Sequence, residues 1–448
     1  MSQALSTTTL NLNLLGDWQP PADRRDPIAV LEQQEIDRLP WLVPVRHSRM
    51  AQNAFAFYRG TPAVMAHDLG HAPSSGLEVQ LCGDCHLANF GFYGSPEWHL
   101  LFDINDFDET VRGPFEWDLK RLVASAVLAA RALKLPAEQQ RRAARRTARS
   151  YRHAMCALAA QPLQQIWAQR IDMEAFVAEV GHEPLRRHLE RMSAKAKART
   201  NSEAAGKLCE FGPDGALQLR HDPPLIWRHA LLDRHWTADM HWRELVDEML
   251  LKYMASLPAE LQHLMRHFRL ADAALKAVGI GSVGTRCAIG LFVGHHPDEV
   301  LILQSKQAET SVLGPYASSP PPPHHGQRVV EGQRLMQTAS DPFLGWSTGA
   351  NGRQHYWRQL RNWKGAVELG ALDAKGLELY GELCGKVLAK AHARSGDARA
   401  IAHVAGEGKV FDRAMESYAL AYADQSERDY RIFLQAIQEG RLQTGLIF

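Results

Sequence analysis

Apolar positions along this chain recur at helical spacing in some stretches and in short strand-length runs in others, and the change of pattern divides it. Residues 1–27 are polar and then proline-rich (Pro20, Pro21, Pro27), which predicts a loosely held lead-in. From about Ile28 to Leu69 the pattern is helical, interrupted by Pro40 and Pro44, because proline lacks the N–H that a helix interior needs. Leu77–Cys82 and His99–Ile104 are apolar runs of strand length, each ending in a polar cluster. After Gly113-Pro114 the text reads as helical to roughly Ala274. Within it, Asp118, Leu119, Leu122, Val123, Ala126, Val127 and Ala130 have the spacing of a helix with one buried face.

Around residue 276 the texture changes. Ala277–Arg286 is glycine-rich, Cys287–Val293 and Glu299–Leu303 are strand-like, and His295–Asp298 reads as the turn between them. Pro320–Pro323 with His324-His325 predicts a stiff extended loop. Arg328–Thr338 predicts a short helix, and Phe343–Ser347 and His355–Arg361 predict strands. From Leu372 onward the pattern is helical again. The expected units are a flexible lead-in (1–27), a helical lobe carrying two aspartate loops (28–274), a glycine-loop β lobe (275–365) and C-terminal helices packing on the helical lobe (366–448).

Composition narrows the class. The 448 residues are 45% hydrophobic and 23% charged, as in an ordinary soluble globular protein. A formal net charge of +1 argues against a general nucleic-acid binder. Six scattered cysteines argue against a disulfide framework. With no signal-like leader and no bilayer-length apolar run, the expectation is a cytoplasmic bacterial-type enzyme that needs no membrane. The arginine-rich helix around Arg141–Arg152 and the basic run Lys195–Arg199 read as solvated faces, or as contacts for an acidic or phosphorylated partner.

The candidate chemistry lies in two loops. Gly83-Asp84-Cys85-His86-Leu87-Ala88-Asn89 follows the first short apolar run, and Asn105-Asp106-Phe107-Asp108 follows the second. Magnesium takes hard oxygen ligands from carboxylates and carbonyl-type groups, so Asp84, Asn89 and Asp106 brought to one end of adjacent strands would suit a metal-phosphate site. Asp and Asn are also common turn residues, so either loop taken alone could be turn chemistry. Cys82-Gly83-Asp84-Cys85-His86 fits the covalent haem pattern as well, but Cys82 closes an apolar run. A zinc site would need two further ligands, and Cys156 and Cys209 offer no second pair.

A second candidate is the glycine loop Val278–Arg286, whose Gly279, Gly281, Ser282, Gly284 and Thr285 would let a backbone approach phosphates closely. A strand-like run follows it, where a dinucleotide fold would open a helix. The next strand ends in Lys306, and in kinase-like folds a third-strand lysine touches the nucleotide phosphates and pairs with a helix glutamate. Glu331 is the expected partner, with Glu309 as competitor.

Gly83-Asp84-x-His86-x-x-Asn89, then Asp106-Phe107, Gly113-Pro114 and Asp118-Leu119, resemble the catalytic and metal loops of the aminoglycoside-phosphotransferase branch of kinase-like enzymes. The resemblance implies that Asp84 accepts the acceptor's proton, His86 orients the catalytic loop, Asn89 and Asp106 bind the metal, and Asp118 supports the loop. The glycine loop and lysine follow these motifs, the reverse of the usual order. The expected fold is therefore α+β, protein-kinase-like and two-lobed, circularly permuted, with a mostly helical large lobe and a small antiparallel β-sheet lobe. The chain as a whole resembles bacterial domain-of-unknown-function family 2252, through Arg49-Met50, Phe57–Gly60, Cys82–Gly91, Asp106–Arg121, Gly279–Arg286, Gln304–Ala308, Gly332–Arg334, Ala391–Arg394 and Tyr422–Gln425. That family implies no activity. The function expected from the residues is an ATP- and Mg2+-dependent phosphotransferase acting on an unknown small-molecule or protein acceptor. The alternatives are a nucleotide-binding pseudokinase and a metal-dependent phosphoester hydrolase. Arg59 and Arg394 could clamp phosphate or carboxylate, or form buried ion pairs. Arg334, His392 and Asp424 carry no assigned role.

Overall fold

The computed structural model describes residues 12–223, 225–231, 242–276, 283–296, 298–349, 351–406 and 408–445. The fold is α+β, helix predominates, and every strand pairing among the described residues is antiparallel. No helix among them is long and apolar enough to cross a membrane.

Four short helices open the described chain after Asp26, whose carboxylate caps the backbone N–H of Ile28: Pro27–Glu35, Val43–Met50, Ala54–Gly60 and Pro62–Gly70. Pro40 opens the turn between the first two, and Pro44 sits in the first turn of the second, where its missing N–H is tolerated. Four strands follow: β1 (Glu78–Leu81), β2 (Phe90–Gly94), β3 (Leu100–Ile104) and β4 (Val111–Pro114). The sequence reading has only β1 and β3, as neighbours. In fact β1 pairs with β4, and β3 pairs with β2. The two missed strands contain Gly91, Gly94 and Gly113-Pro114, residues that usually punctuate strands. Tertiary pairing overrides that local signal.

The helix Phe115–Ala132 is buried on every side from Phe115 to Ala130, where the sequence suggests one buried face. It is enclosed by the helices Ala137–Ala159, Ala374–Ser395 and Val410–Gln438. The arginines of the second of these four are not simply solvated. Arg142 and Arg146 pair with Glu378, and Arg152 pairs through two 2.8 Å bonds with Asp412, stapling that helix to the C-terminal ones.

The stretch read as helical up to Ala274 contains four more strands: β5 (Cys209–Phe211), β6 (Leu217–Leu219), β7 (Ile226–Arg228) and β8 (Arg269–Lys276). The first three span three residues each, too short for a period to show. Then come β9 (Cys287–Val293), β10 (Val300–Gln307), β11 (Gly345–Thr348), β12 (Gln354–Gln359) and β13 (Gly365–Ala366). The main sheet runs β11-β12-β10-β9-β8-β7, and β13 adds to β2-β3. Between β10 and β11 the chain forms the helix His325–Met336.

Strand alternation gives the main sheet a separate apolar cluster on each face. Leu301, Leu303 and Phe292 pack with Tyr253 and Trp357, whereas Ile302, Ile289 and Leu291 pack with Leu219 and Cys209. The helices and β1–β4 share a third, much larger core. The end of β10 meets that body at the two aspartate loops.

Candidate functional site

The 83–89 loop is held from beneath. Asp118, in the first turn of the Phe115–Ala132 helix, accepts the N–H groups of Cys82 (2.8 Å) and Gly83 (3.0 Å). His392 donates through Nε2 to the same carboxylate at 3.3 Å and takes the Tyr151 hydroxyl on Nδ1 at 2.9 Å. Those two bonds fix its tautomer. Gly83 has φ +86°, and a Cβ there would lie 2.1 Å from the Glu109 carbonyl oxygen, so only glycine fits against the second loop.

Asn89 ties the two loops together. Its Nδ2 donates to the backbone carbonyls of Asp84 (3.0 Å) and Asp106 (3.2 Å), which leaves its carbonyl-type oxygen as the available ligand atom. Asn105 N–H donates to the Asn89 carbonyl at 2.9 Å. Both loops therefore share one end, as the sequence reading requires, although their strands belong to different sheets.

Asp84 accepts a 2.5 Å bond from Arg121 Nε. Burial opposes its ionisation, but Arg121, with smaller help from Arg59, holds it below the usual carboxylate range. His86 Nε2 lies 3.6 Å from the other oxygen. Burial pushes His86 down to about 3, so at neutral pH this approach is that of a neutral imidazole and not an ion pair. Arg121 is further committed to the Tyr58 carbonyl at 2.9 Å and lies over the Tyr58 ring.

Lys306, at the end of β10, reaches this body. Its Nζ is 2.5 Å from Asp108 Oδ2 and 3.4 Å from Asp106 Oδ1. Tyr356, opposite Lys306 on β12, donates to Asp108 Oδ1 at 2.5 Å. Against the burial that would raise it, Lys306 and these bonds hold Asp108 down to about 2, whereas burial and the neighbouring Asp108 push Asp106 up. Burial also pushes Glu109 up to about 7, although it accepts the Val312 N–H at 2.7 Å.

Glu331 is not the partner of Lys306. It lies on the exposed face of the His325–Met336 helix and accepts from Gln327 at 2.7 Å. Three residues earlier, Arg328 faces inward and donates to the carbonyls of Asp108 (2.9 Å) and Glu309 (2.8 Å). Glu309 itself accepts from Gln307.

A cleft of about 340 Å3 opens between these parts, large enough for a small molecule. Asp84, His86, Asn89 and Asp106 line it, with Thr285 from the segment before β9; Lys306 stands behind the Asp106 and Asp108 carboxylates. Gly284 has φ +90° and accepts the Leu39 N–H at 2.7 Å. Gly279, Gly281 and Ser282 lie outside the described residues. Another wall comes from the N-terminal helices and the bend between the first two, and carries Arg38, Arg46 and Arg59. Sequence reasoning missed Arg121, Asp108, Tyr356, Arg38 and Arg46. Asp108 and Arg121 were within reach of it: Asp108 repeats Asp106 two positions on, and Arg121 follows Asp118 by three on one helix face.

The other chemically rich positions are structural. Arg394 donates to the carbonyls of Leu335 (2.9 Å) and Gln337 (3.1 Å) and lies over the Trp167 ring, Arg334 donates to Leu344 O at 2.7 Å, and Asp424 pairs with Arg131. Cys82, Cys85 and Asp118 place ligand atoms within 4.8 Å of one another, all buried. Burial pushes the Cys85 thiol up to about 11, and both sulfurs are sealed from the bulk a covalent haem would require. Asp118 already serves two backbone N–H groups, so the trio reads as loop support.

No curated protein and no solved structure gives a significant match to this chain. A family model described as "Uncharacterized protein conserved in bacteria (DUF2252)" matches residues 38–436, a span that includes both aspartate loops, Lys306 and the arginine wall, and the chain belongs to that family.

Proposed function

We propose that this protein is an ATP- and Mg2+-dependent phosphotransferase with a circularly permuted, two-lobed, kinase-like fold, acting in the cytoplasm on an acceptor of still open identity. The observation that carries this reading is the contact of Lys306 with Asp106 across 200 positions of chain, which sets a lysine from the glycine-loop sheet beside the two-loop site. Phosphoryl transfer needs an oriented nucleophile, a hard-ligand metal site and positive charge near the phosphates, and these residue types converge on one cleft.

The donor set suits magnesium. Asp106 and the Asn89 carbonyl-type oxygen are hard ligands, and a cation would offset the burial and the neighbouring Asp108 charge that push Asp106 up. When bound, the magnesium nucleotide supplies the terminal phosphoryl group, which passes to the acceptor oxygen with the nucleoside diphosphate as leaving group. Asp84, ionised and fixed by Arg121, is the group to receive the acceptor's hydroxyl proton. Lys306 spends two of its three donors on Asp106 and Asp108 and, standing behind them, holds the metal-end carboxylates in place. Arg328 holds the second loop in place through backbone carbonyls, so the loop's shape does not depend on Glu331.

The reversed motif order is compatible with this fold. Gly445 N–H donates to the Pro44 carbonyl at 3.0 Å, and Arg441 pairs with Glu32 at 2.8 Å, so the segment after the last helix lies against the helices Pro27–Glu35 and Val43–Met50. Joining the chain there would put the glycine-loop sheet ahead of the aspartate loops, and such rearrangement is tolerated when the joined segments are neighbours.

The test is thermal denaturation of the full chain with nucleotides, with and without magnesium. A Mg2+-dependent rise in Tm with ATP, lost in Asp106→Asn, is expected. Absence of a shift with every Mg-nucleotide would sink the proposal. Magnesium-dependent hydrolysis of a simple aryl phosphate without nucleotide would favour a phosphoester hydrolase instead.

A further inference from the structure

The wall facing the aspartate loops is basic, and its arginines are not equally occupied. Arg46 is fully buried and spends Nη1 on Glu35 (2.6 Å) and Nη2 on the Gly60 carbonyl (2.7 Å). Arg38 donates Nη1 to the Val283 carbonyl at 2.5 Å, holding the segment that leads out of the glycine loop. Both are structural in part. Arg59, in the last turn of Ala54–Gly60, differs. Among the described residues it makes no hydrogen bond or ion pair, its Nε is buried without a partner, and it lines the cleft beside Asp84.

Pairing with Asp84 does not explain it. Asp84 already has Arg121 at 2.5 Å, and His86 is neutral at pH 7, so this end of the cleft holds one carboxylate and two guanidinium groups. At the other end, two carboxylates, Asp106 and Asp108, are matched by the Lys306 ammonium and the nearby Arg358 guanidinium. A magnesium-bound phosphate chain suits the acidic end, and the excess positive charge lies at the end where an acceptor hydroxyl would meet Asp84. Burial lowers the Arg59 pKa, a cost that an oxyanion joining it in the cleft would offset.

The geometry points to an oxyanion subsite at Arg59: the acceptor carries a carboxylate or phosphate group near its reacting hydroxyl, and Arg59 binds it. This rests on the phosphotransferase reading for the word acceptor, but not for the subsite itself. A planar guanidinium takes either oxyanion through paired N–H donors, so one residue serves both chemistries.

The experiment is calorimetric titration of the full chain with inorganic phosphate and, separately, malonate, without and then with a non-hydrolysable Mg-ATP analogue. Wild type, Arg59→Gln and Arg59→Lys are compared after each is shown to melt cooperatively, so Arg59→Lys carries the test should Arg59→Gln not fold. At least one probe is expected to bind wild type, with affinity falling about tenfold or more in Arg59→Gln and less in Arg59→Lys. The nucleotide analogue is expected to bind Arg59→Gln within about twofold of wild type and to leave the oxyanion site open. Lack of binding by both probes, or equal affinity in Arg59→Gln, overturns the inference. Parallel loss of nucleotide affinity, or competition between probe and nucleotide, overturns it too, because Arg59 would then be reading the nucleotide's own phosphates. If an Arg59-dependent probe binds but no nucleotide does, the subsite stands and the phosphotransferase reading falls.

Discussion

Lys306 Nζ and Asp108 Oδ2 lie 2.5 Å apart although 198 positions separate them, and this ion pair joins the six-stranded sheet to the body that carries both aspartate loops. The pair has a second carboxylate, Asp106, at 3.4 Å from the lysine and a tyrosine hydroxyl on Asp108. This ammonium balances the two acids together with the nearby Arg358 guanidinium, and its removal should be felt in stability as well as in ligand binding.

Lys306→Met would leave the carboxylates facing each other across the cleft wall. Breaking a fully buried pair costs about 3–5 kcal/mol, but the Asp106 and Asp108 side chains keep 40% and 30% of their exposure. The expected loss is therefore about 1–3 kcal/mol, read from urea denaturation at pH 7. Asp108 is held down to about 2, so its contribution is present above the unfolded value near 3.8 and disappears as pH falls towards 2. Wild type should lose stability more steeply than Lys306→Met between about pH 4 and pH 2. Parallel acid titrations of the two proteins would contradict the pairing.

Gly83 sits where the first loop touches the second. At φ +86°, with the Cβ of any other residue forced to 2.1 Å from the Glu109 carbonyl oxygen, Gly83→Ala suffers backbone strain and a collision with main chain that cannot rotate away. A loss of at least about 2 kcal/mol is expected. Asp118→Ala, which strips the acceptor from the Cys82 and Gly83 N–H groups, should cost about 2–4 kcal/mol, because two buried donors lose their partner at once. A melting temperature unchanged in either variant would mean that the loop is not anchored in this way.

Glu109 gives a pH signature of opposite sign. Its carboxyl is pushed up to about 7 by burial, from a usual value of 4.5. The stability tied to its protonated form is complete below about pH 4.5 and is lost as pH rises through 7. Glu109→Gln keeps an acceptor for the Val312 N–H and removes the titration, so it should gain stability relative to wild type near pH 8 and show little difference near pH 4. Chemical denaturation across that range reads the difference directly. A constant offset at every pH would show that the residue does not titrate in the window.

Part of this was legible in the sequence. The helix around Phe115–Ala132, strands β1, β3, β9 and β10 and the hairpin turn between the last two follow from spacing alone. The convergence of Asp84, Asn89 and Asp106 is expected on the premise that β1 and β3 are neighbours; the loops do share one end, but through the β2–β3 pairing and the Asn89 side chain instead. What spacing could not carry was pairing: β2 and β4 depend on partners elsewhere in the chain and contain glycine and proline that argue against them locally. The partner of Lys306 was missed for a related reason. A helix offers several charged residues at different angles, and without its orientation Glu331 is as reasonable a choice as the inward-facing Arg328. The arginine wall was hidden because Arg46 and Arg59 lie on separate short helices and Arg38 in a bend between helices, and no local pattern encodes their relative placement.

The proposed division of labour between the two loops separates binding from turnover. Asp106 belongs to the metal end, so Asp106→Asn should abolish the Mg2+-dependent part of nucleotide affinity, measured by calorimetry with and without the ion. Asp84 has no role in holding the nucleotide under this scheme. Asp84→Asn keeps the side chain's shape and an oxygen able to face Arg121, so nucleotide affinity should stay within about twofold of wild type. Its amide cannot accept the acceptor's proton, and loss of a general base typically costs about 10²–10⁴ in rate. With the acceptor unidentified, slow nucleotide hydrolysis by water is the available readout, and it should fall in the same variant because water needs the same proton acceptor. If Asp84→Asn instead weakened nucleotide binding as strongly as Asp106→Asn while leaving hydrolysis per bound nucleotide unchanged, Asp84 would be a metal ligand. The two loops would then form one cation site, with no base between them.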